Sequence, residues 1–219
     1  MINYLPKDPL MFVIAFLIFA ISITVHEFSH AYSAKLLGDD TAANQGRLTL
    51  NPLKHLDPLG TLMIVFTSFG WARPVPVNAM YFKDRKKGTM LTSLAGPVSN
   101  LLLGLIFAFP YVYISLKGYD VSSGGLNFLL RLFKQGFEMN ILLGIFNMLP
   151  VPPLDGSKIL SGILPSRDYF KMLEYENYIV IVFIILMFTG VLGRIIWPII
   201  ETVETAIIYV VVPIVKLLL

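Results

Sequence analysis

No cysteine occurs among the 219 residues, which excludes disulfide bonds, thiol nucleophiles and cysteine-ligated zinc. Histidine is scarce, with three in all, and charge is thin: 14% of residues are Asp, Glu, Lys or Arg, against about 25% in an ordinary soluble domain. The net charge is only +3 and no Lys/Arg block is long enough to form a phosphate-binding face, so nucleic acid is excluded as a partner. Internal repeats, low-complexity tracts and a soluble appendage domain are also missing. What remains is apolar, with 56% hydrophobic residues and a mean hydropathy of +0.72. Such a chain is an integral membrane protein whose surroundings are the lipid bilayer.

The chain reads as one membrane domain over 1–219. A first apolar helix over 10–37 ends at Gly38-Asp39-Asp40. It has no small-residue cleavage site behind it and is read as a retained helix rather than a signal peptide. Residues 41–82 are more polar, with Gln45 to Leu50 alternating like a short strand. Leu59 to Trp71 is apolar but too short to cross, so a re-entrant or interfacial piece is expected there. Further spans are expected at 89–116, 126–149 and 177–198, with a shorter last one at 203–219. The fold class is therefore all-α and polytopic, with about four to six membrane segments. A small membrane-associated β-sheet or hairpin region is expected between the first two full spans. Eight basic residues fall between Lys35 and Lys87, whereas the turn after the second span brings mainly Lys117, Arg131 and Lys134. The first of these sides is expected to be cytosolic, in a multi-pass protein of a prokaryotic cell membrane.

Inside the first helix lies His26-Glu27-Phe28-Ser29-His30. Residues i and i+4 share a helical face, so two imidazoles can address one Zn²⁺ while Glu27 reaches the metal's open position. From Leu10 to Ala34 these are the only acidic, basic or imidazole side chains. Groups of that kind at bilayer depth cost several kcal/mol unless paired or metal-bound. His26 falls roughly 16 Å along the axis from the Leu37 end, within the membrane but nearer the cytosolic surface.

Two imidazoles hold zinc incompletely. The extension used by soluble zinc proteases is absent, because Ser33 and Leu36 stand where glycine and histidine are needed. His55 and the carboxylates remain. Asp155 is the best placed of them, after the proline-broken end of an apolar span, where irregular backbone at membrane depth is tolerated only in protein or beside a cavity. Asn140 and Asn147 lie seven residues apart on one helical face, where substrate contact and interhelical hydrogen bonding are equally open. Gly96 and Gly104, with Ala95 and Ser99, mark a face for close helix packing. Ala72 to Asn78 cannot be helical because Pro74 and Pro76 alternate within it. Arg73, Val75 and Val77 are expected to offer an extended edge that captures substrate backbone.

These blocks resemble the site-2 protease family of intramembrane zinc metalloproteases. The matching stretches are His26 to His30, Asn51-Pro52-Leu53-Lys54-His55-Leu56-Asp57-Pro58-Leu59-Gly60, Gly70 to Asn78, Ala95-Gly96-Pro97-Val98-Ser99-Asn100 and Asn147 to Gly156. They occur in family order over roughly residues 10 to 165 and lack the inserted PDZ or CBS domain of longer relatives. The resemblance implies that Asp155 is the third zinc ligand, that Asn147 steadies substrate or oxyanion, and that a membrane-associated sheet presents the substrate. It also implies transmembrane proteins or peptides as substrates. A homo-oligomer is compatible with the sequence. Two other classes compete: a non-catalytic scaffold keeping a structural metal, which has no need of Glu27 beside the open position, and a transporter, which should show an inverted pair of broken spans.

Overall fold

The computed structural model of the chain describes residues 9–67, 70–118 and 124–219. The polar lead before Pro9 and most of the turn expected between Lys117 and Gly125 lie outside them. In chain order the helices are α1 (Pro9–Leu36), α2 (Thr41–Asn44), α3 (Pro58–Thr67), α4 (Arg85–Leu116), α5 (Gly124–Asn147), α6 (Asp155–Ile163), α7 (Ser166–Glu174), α8 (Glu176–Phe188) and α9 (Val191–Lys216). Helices α1, α4 and α9 are long and apolar enough to cross a membrane, and α8 is a shorter apolar helix. Helix α5 is 24 residues long, but Arg131, Lys134 and Glu138 interrupt its apolar surface.

The bundle is built on rows spaced by four residues. Along α1 the row Ile14, Ile18, Ser22, His26, His30, Ala34 is buried throughout. Along α4 the row Gly88, Thr92, Gly96, Asn100, Gly104, Ala108, Val112 is likewise buried. Rows of this spacing form the ridges by which helices interlock, and small residues let two backbones approach closely where no water is squeezed out. Helix α4 is accordingly central, packed against α1, α5, α6 and α9. Asp84 caps its start by accepting from Lys87 N at 3.0 Å, which satisfies one of the free amides of the first turn. Gly136, Asn140 and Gly144 on α5 continue the same device. A side chain at Gly104 would run into Ile141, and one at Gly144 into Leu101. The main apolar core lies among α4, α5, α8 and α9 around Ile141, Phe183, Ile196, Ile200 and Val211. A smaller one joins Met11, Ile14 and Ile18 to Phe128, Leu132 and Met139.

The expected β-sheet or hairpin between the first two spans is not formed: among the described residues there is no strand, only an isolated antiparallel bridge between Leu56 and Ala72. Its one neighbouring bond runs from Arg73 N to His55 O at 2.8 Å. Two features stop a ladder from growing. Pro74 and Pro76 remove every second donor on one side. On the other, Gln45 to Leu50 is a turn, in which Gly46 adopts φ +64°, a left-handed conformation that suits glycine, and Arg47 N bonds Ala42 O. The alternation there is too short to outweigh that turn. Around α3 the chain turns back on itself, since a Cβ at Gly60 would lie 2.3 Å from Trp71 O.

The last spans also differ from expectation. The chain breaks at Gly190, which takes φ +76° and separates α8 from α9. Helix α9 then runs on through Pro198 and Glu201 for 26 residues, crossing the boundary read between 198 and 203.

Candidate metal centre

Three donor atoms converge between α1 and the start of α6. Asp155 Oδ2 lies 3.0 Å from His26 Nε2 and 3.1 Å from His30 Nε2, and the two Nε2 atoms are 3.0 Å apart. His26, His30 and Asp155 are all buried. Each imidazole is turned by a partner on its other nitrogen. His30 Nδ1 donates to Thr92 O at 2.7 Å; a carbonyl only accepts, so that nitrogen carries a proton, and in the neutral imidazole Nε2 is left with its lone pair. His26 Nδ1 donates to Asn100 Oδ1 at 2.6 Å.

The polarity of the His26 contact is set further back. Asn140 Nδ2 donates to Gly136 O at 2.8 Å, and Asn100 Nδ2 donates both to Asn140 Oδ1 at 3.0 Å and to Ser22 O at 3.2 Å. Two backbone carbonyls thus set both amides, so that Asn140 turns its oxygen to Asn100 and Asn100 turns its oxygen to His26. With both imidazoles neutral, the consequence is a triangle of two imidazole lone pairs and a carboxylate oxygen with no hydrogen between them. Such a cluster is self-repelling unless a cation lies among its members. Ligands on a tetrahedral zinc with bonds of about 2.0–2.1 Å are separated by about 3.3 Å, so the observed edges fit zinc with a small outward adjustment. Both histidines also have the outer-sphere partners that metal-bound imidazoles require.

Glycines make room for this arrangement. A Cβ at Gly96 would lie 2.4 Å from His30 Nε2 and 2.6 Å from His26 Nε2, so α4 can pass the rings only with its backbone bare. Asp155 opens α6, held to the end of α5 by Val151 N bonding Leu149 O and Leu154 N bonding Val151 O. A Cβ at Gly156 would lie 2.1 Å from Leu149 O, so glycine is what allows that tight return.

Glu27 stands beside the triangle. Its Oε2 accepts from Val75 N at 2.8 Å, which brings the extended 73–75 segment directly over α1. The other sequence-derived residues are distributed unevenly. Arg73 meets this neighbourhood through its backbone, with its amide on His55 O and its carbonyl on the Arg47 guanidinium. The Val75 side chain is packed with Ala31 and Ala42, whereas Val77 is 40% exposed. Asn140 is fully buried behind Asn100. Asn147 donates to Leu143 O at 3.0 Å, within its own helix. His55 is buried in the 49–55 turn, with Nε2 donating to Thr49 O at 2.7 Å, and stands outside the His26, His30 and Asp155 cluster. Sequence reasoning gave no place to Asn100 or Thr92, put Gly96 only on a helix-packing face, and counted Arg47 only as a charge. The four-residue rows were the signal for the first three, since Thr92, Gly96 and Asn100 follow one another along a single buried edge of α4.

A two-histidine, one-carboxylate cluster within helices of membrane length is a candidate zinc site in a membrane-embedded protein. Comparison with known proteins agrees. The profile of peptidase family M50 matches residues 125–190. YwhC of Bacillus subtilis (strain 168), provisionally named a zinc metalloprotease, is 43% identical over 195 residues, covering 89% of this chain and 88% of that protein. Rip2 of Mycolicibacterium smegmatis, also provisionally named so, is 29% identical over 181 residues, 79% of this chain and 66% of its own length. The zinc metalloprotease MJ0392 of Methanocaldococcus jannaschii is 25% identical over 166 residues, 75% of this chain but 39% of its own. No solved structure is matched. The chain belongs to peptidase family M50, the site-2 protease family, and its cofactor is zinc.

Proposed function

We propose that the chain hydrolyses peptide bonds in or near the transmembrane segments of other membrane proteins, with His26, His30 and Asp155 holding the zinc and Glu27 acting as general base. The observation that carries this reading is the buried triangle of lone pairs at 3.0–3.1 Å with a carboxylate beside it that is not one of the ligands. A structural metal site has no use for that fourth group. When bound, zinc polarises the peptide carbonyl and brings the pKa of a coordinated water to about 7.

Glu27 takes a proton from the attacking water as the new C–O bond forms, then passes it to the amine nitrogen as the C–N bond breaks. Val75 N–H holds one carboxylate oxygen of Glu27 and leaves the other free for this transfer. Asn147 spends one amide hydrogen on Leu143 O; the second is the group we assign to the developing oxyanion, a contact of the kind worth about 3 kcal/mol when preorganised. A helical substrate must unwind locally, because its scissile carbonyl is bonded to an amide four residues on. The 73–77 segment offers it little ladder. Its donors are Arg73, Val75 and Val77, of which the first two are committed to His55 O and Glu27, so among the described residues the Val77 amide is the one left to a substrate. The basic residues between Lys35 and Lys87 support a cytosolic leaflet for this side of the bundle.

Glu27→Gln protein reconstituted in lipid nanodiscs is expected to keep one zinc per chain. Its cleavage of a fluorogenic single-span transmembrane peptide should fall by about 10²–10⁴-fold. Cleavage at the wild-type rate by the zinc-loaded variant refutes the assignment.

A further inference from the structure

The 73–75 segment that reaches Glu27 is itself clamped, and the clamp is a buried arginine. Arg47 is 8% exposed, and its Nη2 donates to Arg73 O at 2.6 Å. The same residue's amide is bonded to His55 O at 2.8 Å. Arg73 is therefore gripped at both backbone groups, and two residues on, Val75 N meets Glu27 Oε2. Further along, Asn78 N donates to Asp39 Oδ2 at 2.7 Å, and Asp39 is fully buried at the end of α1. Pro74 and Pro76 stiffen what lies between these anchors. A displacement at Arg73 is thus passed to Val75 rather than absorbed.

A buried guanidinium is an expensive way to hold a loop. An apolar contact would hold it without desolvating a charge, and Arg47 Nε has no hydrogen-bond partner among the described residues. Its environment indicates what the charge is for. Burial first, and then the nearby Arg73, push Arg47 below its ordinary pKa, while Glu27 pulls it back up. The guanidinium therefore serves two ends at once: a bond to the strap, and a positive charge on the side of the site where Glu27 lies.

We infer that Arg47 is a positioning residue for hydrolysis: by clamping Arg73 O it seats the 73–75 strap on α1, and Val75 N–H in turn fixes the orientation of the Glu27 carboxylate. The inference rests on Glu27 being the base. It predicts that loosening the clamp lowers turnover without touching the metal ligands.

The test compares wild type, Arg47→Ala, Arg47→Lys and Glu27→Gln in nanodiscs, by zinc content, by kcat and KM on the fluorogenic transmembrane peptide, and by hydrogen exchange. Within 73–78 the prolines leave only the amides of Arg73, Val75, Val77 and Asn78 to exchange, so the strap is read almost residue by residue. Arg47→Ala is expected to keep one zinc, to exchange at 73–78 at least tenfold faster while α1 and α4 are unchanged, and to lose about thirtyfold in kcat with KM within threefold, on the scale set by sub-ångström to 1 Å misplacement. Arg47→Lys, which keeps a cationic donor, should recover to within fivefold of wild type. Unchanged exchange at 73–78 in Arg47→Ala overturns the clamp, whatever the protease assay shows. Faster exchange with kcat unchanged overturns the positioning role. An Arg47→Ala protein that loses zinc or folding, with Arg47→Lys equally damaged, also overturns it in favour of a purely structural arginine. Wild-type cleavage by Glu27→Gln refutes the base assignment and leaves the exchange result to judge the clamp separately.

Discussion

Gly96→Ala adds one methyl group at the point where α4 passes the His26 and His30 rings. Helix propensity alone favours the change, since alanine in a helix interior is better than glycine by about 1 kcal/mol. The structure opposes it. The new carbon would lie 2.4 Å from His30 Nε2 and 2.6 Å from His26 Nε2 and His30 Cε1, where unstrained contacts need about 3.5 Å. About 1 Å must be recovered. Either α4 withdraws or the rings rotate, and rotating His30 gives up Nδ1 on Thr92 O at 2.7 Å as well as its place opposite Asp155.

Overpacking of this kind costs about 1–3 kcal/mol, so after the gain in helix propensity the fold loses about 0–2 kcal/mol and should survive. The ligand triangle does not survive in register. Disturbing the outer contacts of metal-bound histidines costs about 10–100-fold in metal affinity, and a 1 Å misplacement at a reacting centre about 10²-fold in rate. The assay is equilibrium zinc binding against a competing chelator, read by mass spectrometry of the purified chain, with cleavage of the transmembrane peptide measured at saturating zinc. A Gly96→Ala protein that binds zinc as tightly as wild type and cleaves at full rate refutes the reasoning, because Gly96 would then not lie against the rings.

Three further substitutions probe the supports of the site. Asn100→Ala removes the acceptor for His26 Nδ1 and should weaken zinc binding by about 10–100-fold. Asn140→Ala, one step removed, should do so less, and equal losses in the two would count against a directional chain. Gly156→Ala forces a methyl toward Leu149 O, 2.1 Å away, and Met148 O, 2.3 Å away, so it should displace Asp155; retention of wild-type zinc affinity, measured by the same competition, would show that the α5–α6 return is slacker than described.

The metal motif was readable because its chemistry is local: two histidines four apart on one helix need no tertiary knowledge to share a face. Asp155 was readable only as the best of several carboxylates, and its convergence on the triangle depends on how α5 returns into α6. The support chain from Gly136 O through Asn140 and Asn100 to His26 spans three helices. In the sequence Asn140 was equally open to substrate contact and interhelical bonding, and Asn100 was only part of a family-like block, because the two come together only once α4 and α5 interlock. Arg47 was counted merely as a cytosolic charge, since nothing in Gln45 to Leu50 shows that its side chain will be buried against Arg73. The sheet was over-read from alternation in that same stretch, where Gly46 in fact turns the chain, and from an edge whose prolines leave it too few donors. The last helices were divided after Pro198. Helix α9 runs straight through it, and the break falls at Gly190, where a left-handed residue ends α8.

The central claim is that one zinc, held by His26, His30 and Asp155, makes the chain a protease. The most direct measurement is cleavage of the transmembrane peptide by chelator-stripped protein in nanodiscs as zinc is added back stepwise. Activity is expected to be absent from the stripped chain, to rise in proportion to added metal, and to saturate at one zinc per chain. Cleavage that persists without metal, or that restored zinc fails to bring back, would contradict the account.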